Sequence, residues 1–251
     1  MAVTLTIREF EIEKIPHSCT WIIIGCPGSG KTTLIENLCY YNKHRYPVAR
    51  VFIGTETSYK TMSDIFGPLY VTNYYSEDQE KMHILRQRTR SIEHEKENIG
   101  NYAINILDDV SDNPLIYKTN TMKGLFKLGS QHWNQLFIVG SQYAIDMPPE
   151  IRKATSYVAI FREPEETERQ KLYKNFGGIS GTYKNFCDLL DGITGDYTCL
   201  IFNKRSQSMN KEDCIFYYRT VKLAPWKFGC RESKNWSQKR YNPEYVEKLT
   251  M

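Results

Sequence analysis

Residues 21–33 read WIIIGCPGSGKTT, an apolar run that breaks into three glycines, a lysine and two threonines. Trp21 to Ile24 has the length and composition of a buried strand. From Lys31 to Tyr41 the apolar residues Leu34, Ile35, Leu38 and Cys39 recur at helical spacing. Gly25, four residues, then Gly30-Lys31-Thr32 matches the phosphate-loop pattern G-x-x-x-x-G-K-[ST]. A strand before the loop and a helix after it supply the context the motif needs, because amides at a helix start must wrap an anionic phosphate. The loop residues Gly25, Cys26, Pro27, Gly28, Ser29, Gly30, Lys31, Thr32 and Thr33 are expected to surround the phosphates of a nucleotide. Lys31 reaches the β and γ oxygens in this pattern, and the Thr32 hydroxyl takes Mg²⁺. Cys26 lies where a helix dipole and Lys31 could lower its thiol pKa.

Working outward, further apolar runs alternate with helix-prone segments. PVARVFIGT (47–55), YAINILDDV (102–110), QLFIVGSQ (135–142) and SYVAIF (156–161) read as strands. Residues 76–99 read as a solvated helix of mixed charge, a second helix is expected near Thr121–His132, and a charged one over 163–176. That alternation predicts an α/β protein with a mostly parallel sheet covered by helices on both faces. YTCLIFN (197–203) and CIFYYRT (214–220) are separated by a polar stretch and read as an antiparallel hairpin added to the sheet near its C-terminal end.

Composition bounds the rest. A chain of 251 residues with 41% hydrophobic and 25% charged residues suits one α/β domain with some elaboration. No stretch of 18 uncharged apolar residues predicts a membrane span, and the start of the chain lacks the apolar centre of a signal peptide. Seven cysteines without a C-x-x-C pair and five scattered histidines suggest neither a disulfide framework nor a zinc site, so a reducing compartment fits. A net charge of +4 permits a nucleic-acid partner without requiring one. Residues 1–224 read as the ATPase domain and 225–251 as a tail. There Lys227, Arg231, Lys234, Lys239 and Arg240 interleave with Trp226, Phe228 and Trp236. Such a tail can track nucleic acid or pack on its own domain or a neighbour.

A phosphate loop alone leaves kinases, GTPases and motor ATPases open. The run INILDDV ends in two carboxylates, and strand alternation should point them apart. Asp108 is then the Mg²⁺ residue beside Thr32, and Asp109 the base that polarises water. Gln142, at the end of the next strand, would face the γ-phosphate. No N-K-x-D motif for guanine is present.

The order phosphate loop, ILDD, GSQ and then MPPEIRKATSYVAIFR (147–162), with GDYTCLIFN and EDCIFYYR downstream, resembles the poxvirus-type genome-packaging ATPases of nucleo-cytoplasmic large DNA viruses, a branch of the FtsK/HerA superfamily. The resemblance runs from about Trp21 to Arg219. It implies a P-loop NTPase fold of RecA/ASCE type and an ATP- and Mg²⁺-dependent translocase that packages double-stranded DNA, without sequence preference, into a preformed capsid. It further implies a homo-oligomeric ring, contact with capsid proteins, and residence at the viral assembly site in host cytoplasm or in the virion. Carried over by residue, Lys31, Thr32, Asp108, Asp109 and Gln142 form the catalytic set. Arg152 is the arginine offered to a neighbouring subunit, with Arg162 second; the family has Asn shortly after this arginine, where Ala154 and Thr155 stand here. Residues 56–64 or 111–123, with Lys60, Lys118 and Lys123, are expected as DNA-facing loops. An alternative keeps the nucleotide site but makes the chain a capsid assembly or switch factor without translocation; a small-molecule phosphotransferase is a third reading.

Overall fold

The computed structural model describes residues 6–93, 95, 101–110, 114–143 and 148–242, the side chains of residues 114, 232 and 233 aside. Among the described residues nine strands form one sheet: β1 (Arg8–Glu9), β2 (Cys19–Ile24), β3 (Val48–Ile53), β4 (Val71–Thr72), β5 (Ala103–Asp108), β6 (Gln135–Ser141), β7 (Tyr157–Ile160), β8 (Thr198–Asn203) and β9 (Ile215–Arg219). Their spatial order is β1-β9-β8-β7-β2-β6-β5-β3-β4. From β7 to β4 every neighbouring pair is parallel, whereas β8 is antiparallel to both β7 and β9. This is the expected parallel sheet with its added hairpin, closed at that edge by β1.

Strand alternation sorts the apolar residues onto two faces. Trp21, Ile23, Val51, Ile53, Ile104, Ile106, Leu136 and Ile138 enter one core. Ile22, Ile24, Phe52, Leu107, Phe137 and Val139 enter the other. Each fully buried aliphatic side chain contributes roughly 1.5–3 kcal/mol, so both faces must be covered. The first face receives α1 (Lys31–Asn42) and α2 (Glu56–Phe66). The second receives α3 (Glu77–Glu93), then α4 (Asn120–Gly124), a π turn (Leu125–Gly129) and α5 (Ser130–His132), followed by α6 (Pro149–Ala154), α7 (Glu166–Phe176) and α8 (Tyr183–Ile193).

Two segments depart from expectation. Residues 56–64, expected as a DNA-facing loop, lie inside α2. Tyr59, Met62, Ile65 and Phe66 turn toward the core at helical spacing, a pattern diluted by the polar residues between them. Of residues 111–123, the first three fall outside the described residues, Pro114–Lys118 forms a 3-10 turn, and Lys123 sits on α4 with Nζ 3.3 Å from Glu150 Oε1.

The tail packs on its own chain. The Phe228 amide donates to the Ile65 carbonyl at 2.9 Å, and the Phe228 ring lies 4.9 Å from Phe66. A last helix, α9 (Arg231–Arg240), follows, with the buried Ser237 hydroxyl accepting from the Leu69 amide at 3.3 Å.

Candidate active site

The register of the parallel strands sets the site. Ile24 is level with Ser141, and Asp108 with Gly140, so β2, β5 and β6 end together. Gly25 N–H donates to Ser141 O at 3.2 Å, and Asp109 N–H to Gly140 O at 3.1 Å. The phosphate loop, the acidic pair and Gln142 therefore meet at the carboxyl edge of the sheet, where open α/β folds bind ligands.

The loop ends at Gly30, whose φ of +113° lies in a region that L side chains rarely adopt. Leu34 N–H closes the first turn of α1 onto Gly30 O at 2.9 Å. The amides of that first turn have no carbonyl within the helix to bond, and with the helix dipole they make an anion site. Lys31 is 5% exposed. Its Nζ donates to Gly25 O at 2.8 Å and lies 3.8 Å from Asp109 Oδ2.

Asp108 follows the face of Ile104 and Ile106, which is the face of α1, and there its Oδ2 accepts from the Thr32 hydroxyl at 2.9 Å. Pleat alternation would send Asp109 to the opposite face. The structure instead gives Asp109 a left-handed φ of +52°, which turns its carboxylate back toward Lys31. Asp109 Oδ2 accepts from Gln142 Nε2 at 3.1 Å. The two carboxylates are separated by a backbone turn, and they converge on one site.

Burial, and then the charge of Asp109, pushes the Asp108 carboxyl up to about 6, against the lowering effect of the Thr32 hydroxyl and Lys31. Asp108 Oδ1, Asp109 Oδ1 and Ser29 Oγ are buried with no hydrogen-bond partner. Buried oxygens of this kind fit a bound cation and its water. Among the described residues no three His, Cys, Asp or Glu side chains form a metal cage. A divalent cation held here would take its remaining ligands from phosphate oxygens and water.

Three residues outside the sequence-level set shape the site. A Cβ at Gly140 would stand 2.3 Å from Asp108 Oδ1, so glycine alone leaves space for that carboxylate. Phe161, next after β7, is buried beneath the loop beside Gly25 and Gly30. Glu163 is also buried, with Oε2 3.7 Å from Cys26 Sγ. Burial and then Glu163 raise the Cys26 thiol, which corrects the expected lowering by dipole and Lys31. The glycine inside FIVGSQ, one residue before the strand's last serine, was the visible signal for Gly140; nothing in the sequence marked Glu163.

Arg152 stands elsewhere. Thr20, near the start of β2, donates to Ala154 O at 3.1 Å, so α6 ends at the opposite end of β2 from the phosphate loop. Arg152 Nη1 donates to Asn175 Oδ1 at 2.6 Å, on α7 of its own chain. Arg162 is exposed at the phosphate-loop end of the sheet.

No protein-family model matches this sequence. Protein 075L of Invertebrate iridescent virus 6 is 35% identical over 227 residues, spanning 89% of this chain and 86% of that protein. Protein 088R of Invertebrate iridescent virus 3 is 34% identical over 226 residues, spanning 88% and 84%. Among solved structures, the genome packaging NTPase B204 from Sulfolobus turreted icosahedral virus 2, in complex with AMPPCP, matches with a TM-score of 0.56. That match is at 16% identity and covers 82% of this chain and all of the other. The chain shares the fold of the genome packaging NTPase B204, and it belongs to the family of iridescent-virus proteins that includes 075L and 088R.

Proposed function

We propose that this protein hydrolyses ATP and couples hydrolysis to moving double-stranded DNA, without sequence preference, into a preformed viral capsid. The observation that carries the reading is the convergence of Lys31, Thr32, Asp108, Asp109 and Gln142 at the shared ends of β2, β5 and β6. Amides of the loop and of the first turn of α1 hold the phosphates, and the Lys31 ammonium exchanges the Gly25 carbonyl for β and γ oxygens. The Thr32 hydroxyl and Asp108 are the protein's ligands for Mg²⁺, which, when bound, neutralises charge on the phosphate oxygens. Once the γ-phosphate draws Lys31 away, Asp109 is freed to accept a proton from the attacking water. Gln142 donates to Asp109 Oδ2, the oxygen that also faces Lys31, and so fixes the direction in which Asp109 faces while leaving Oδ1 free of hydrogen bonds within the protein.

On this reading the working state is a homo-oligomeric ring, capsid proteins are docking partners, and the protein acts at the assembly site in host cytoplasm or in the virion; the shared fold of a packaging NTPase is consistent with the ring. No helix among the described residues is long and apolar enough to cross a membrane. In a ring, Arg152, or after it Arg162, would complete a neighbour's site by stabilising charge on the transferred phosphoryl group. For either arginine, an alanine variant that assembles normally yet hydrolyses at the wild-type rate would remove it from that role.

Phosphate release from ATP, measured with and without linear double-stranded DNA for the wild type and Lys31→Ala at low and moderate salt, tests the reading. A Lys31-dependent rate that DNA raises and salt suppresses is expected. A slow rate indifferent to DNA in an oligomeric sample would replace translocation with a nucleotide-dependent assembly or switch role.

A further inference from the structure

At the β4 edge of the sheet, α3 and α9 stand on either side of a groove of about 950 Å³. Strands β6 and β5 lie between its β3 wall and β2, which carries the phosphate loop. Four guanidinium groups line it: Arg50 from β3, Arg86 and Arg90 from α3, and Arg240 from α9. Asp78 is the one carboxylate among its lining residues. Arg86 and Arg240 are exposed and make no ion pair with a described carboxylate. Four cations against one anion leave the groove strongly positive.

The interior has unspent donors. Arg90 Nε is buried without a partner, and so is His83 Nε2 between the arginines. Burial, with Arg50, Arg90 and Arg86 around it, holds His83 down to about 3 and therefore neutral. Burial shifts the neighbouring Glu80 toward its neutral form, so it only partly offsets the arginines. A bound anion would accept from Arg90 Nε, and from His83 Nε2 in the tautomer that carries its proton there, and would lower the local potential.

The walls carry rings as well as charge. Trp236 and Tyr74 line the groove and are 46% and 40% exposed, and the Arg240 guanidinium lies 4.9 Å from the Trp236 ring centre. Phe228 and Ser237 anchor the tail and α9 to α2 and Leu69, so the helix that carries Trp236 is held in place before any ligand arrives. Guanidinium forks match phosphate geometry, and exposed aromatic faces stack on bases. A groove of about 950 Å³ has room for a phosphate and a base together, whereas a duplex offers its bases only edge-on.

We infer that the groove between α3 and α9 binds nucleotide units, with phosphate on Arg86, Arg90 and Arg240 and a base stacked on Trp236. The ligand is a single-stranded segment of nucleic acid or a free nucleotide, chemistries the test separates. Its residues are distinct from those proposed for hydrolysis, so either assignment can fail alone.

The test uses the full chain with Lys31→Ala, which weakens binding at the phosphate loop. Anisotropy of a labelled oligothymidylate is followed at low salt, with AMP and inorganic polyphosphate as competitors. Reversing Arg86 and Arg240 to Glu should weaken binding by about tenfold or more, the order expected when two phosphate contacts are lost. Lys174→Glu with Lys184→Glu, the same charge change on exposed residues of α7 and α8, should have a much smaller effect. Trp236→Leu should cost about fivefold or more through lost stacking. Competition by AMP assigns the groove to free nucleotides, and failure of AMP with tight oligonucleotide binding assigns it to a strand. Equal loss in the two charge-reversed variants, or unaltered binding by Trp236→Leu with polyphosphate competing as well as the oligonucleotide, overturns the inference. Basal phosphate release in an otherwise wild-type chain should be unchanged by Arg86→Glu with Arg240→Glu.

Discussion

Glu80 offers a measurable consequence of the way α3 is fixed to the sheet. It is fully buried, and its Oε1 accepts from Asn105 Nδ2, on β5, at 2.5 Å. The same Asn105 nitrogen donates to Gln135 Oε1, on β6, at 3.2 Å. Glu80 Oε2 is buried with no partner. Burial raises this carboxyl from 4.5 to about 7, against the lowering effects of Asn105 and Arg50. A proton is thus held by the folded protein about 3 kcal/mol more tightly than by the unfolded chain, at about 1.4 kcal/mol per tenfold in affinity. Because the folded value is the higher one, the stabilisation is complete below pH 4.5 and is lost as pH rises through about 7. Asp108 is raised too and pulls the wild-type curve the same way, so the perturbation must isolate Glu80. Glu80→Gln does so, since glutamine keeps an acceptor for Asn105 and resembles the protonated acid. Any fixed cost of its amide in that pocket is independent of pH and drops out of the slope. Urea unfolding, followed by tryptophan fluorescence between pH 4.5 and 8.5, should show the variant gaining on the wild type by about 3 kcal/mol across the range. With a urea slope near 3 kcal/mol per molar, that is about 1 M in midpoint. Parallel midpoint curves for the two proteins would refute the reasoning, as would a gain that grew toward acid.

Three other outcomes follow from the site. Gly140→Ala should fold, at a cost of about 1–3 kcal/mol for the added methyl group, yet displace Asp108 and weaken Mg²⁺-dependent ATP binding by about tenfold or more; calorimetric titration giving the wild-type affinity would contradict that placement. Between pH 7 and pH 5 the Mg²⁺-dependent part of nucleotide affinity should fall by about tenfold, because Asp108 takes up a proton near pH 6 and a protonated carboxyl is a poor metal ligand. Titrations showing the same Mg²⁺ dependence at both pH values would count against Asp108 as the ligand. At neutral pH Cys26 should alkylate more slowly than the exposed Cys230, and Cys26→Ala should retain ATP binding, both readable by peptide mass mapping and titration. Faster labelling of Cys26 than of Cys230 would mean that Glu163 does not govern the thiol.

The parallel sheet was legible because the apolar runs of β2, β3, β5 and β6 are long, and their flanking helices are spaced as crossover connections require. The phosphate loop was legible for a different reason, as a fixed spacing of residue types with one chemical use. What escaped lay in backbone or long-range detail. The left-handed turn at Asp109 cannot be read from alternation, which assumes an extended strand. The strands β1 and β4 have two residues each, too short to carry a period. Asn105 interrupts an apolar strand, and its reason, Glu80, lies 25 residues away on a helix whose charged residues read as solvated. Gly140 and Glu163 act on the site through space left open and through a buried charge, neither of which has a sequence pattern.

Asn37 ties the final segment of the chain to the helix that begins at the phosphate loop. It is buried in α1, where its Oδ1 accepts from the Val221 amide and its Nδ2 donates to the Val221 carbonyl, both at 2.8 Å. From there the chain runs across α1, with Trp226 against Tyr40, to Phe228 on α2 and Ser237 beside Leu69. Residues 220–242 thus form a tie-rod from β9, near one edge of the sheet, to β4 at the other, riveted to α1 by Asn37. Such a member carries tension: the outer strands cannot rotate against α1 without stretching it or dragging α9 along. Any twist of the sheet that accompanies filling of the phosphate loop is thereby delivered as displacement to the far edge.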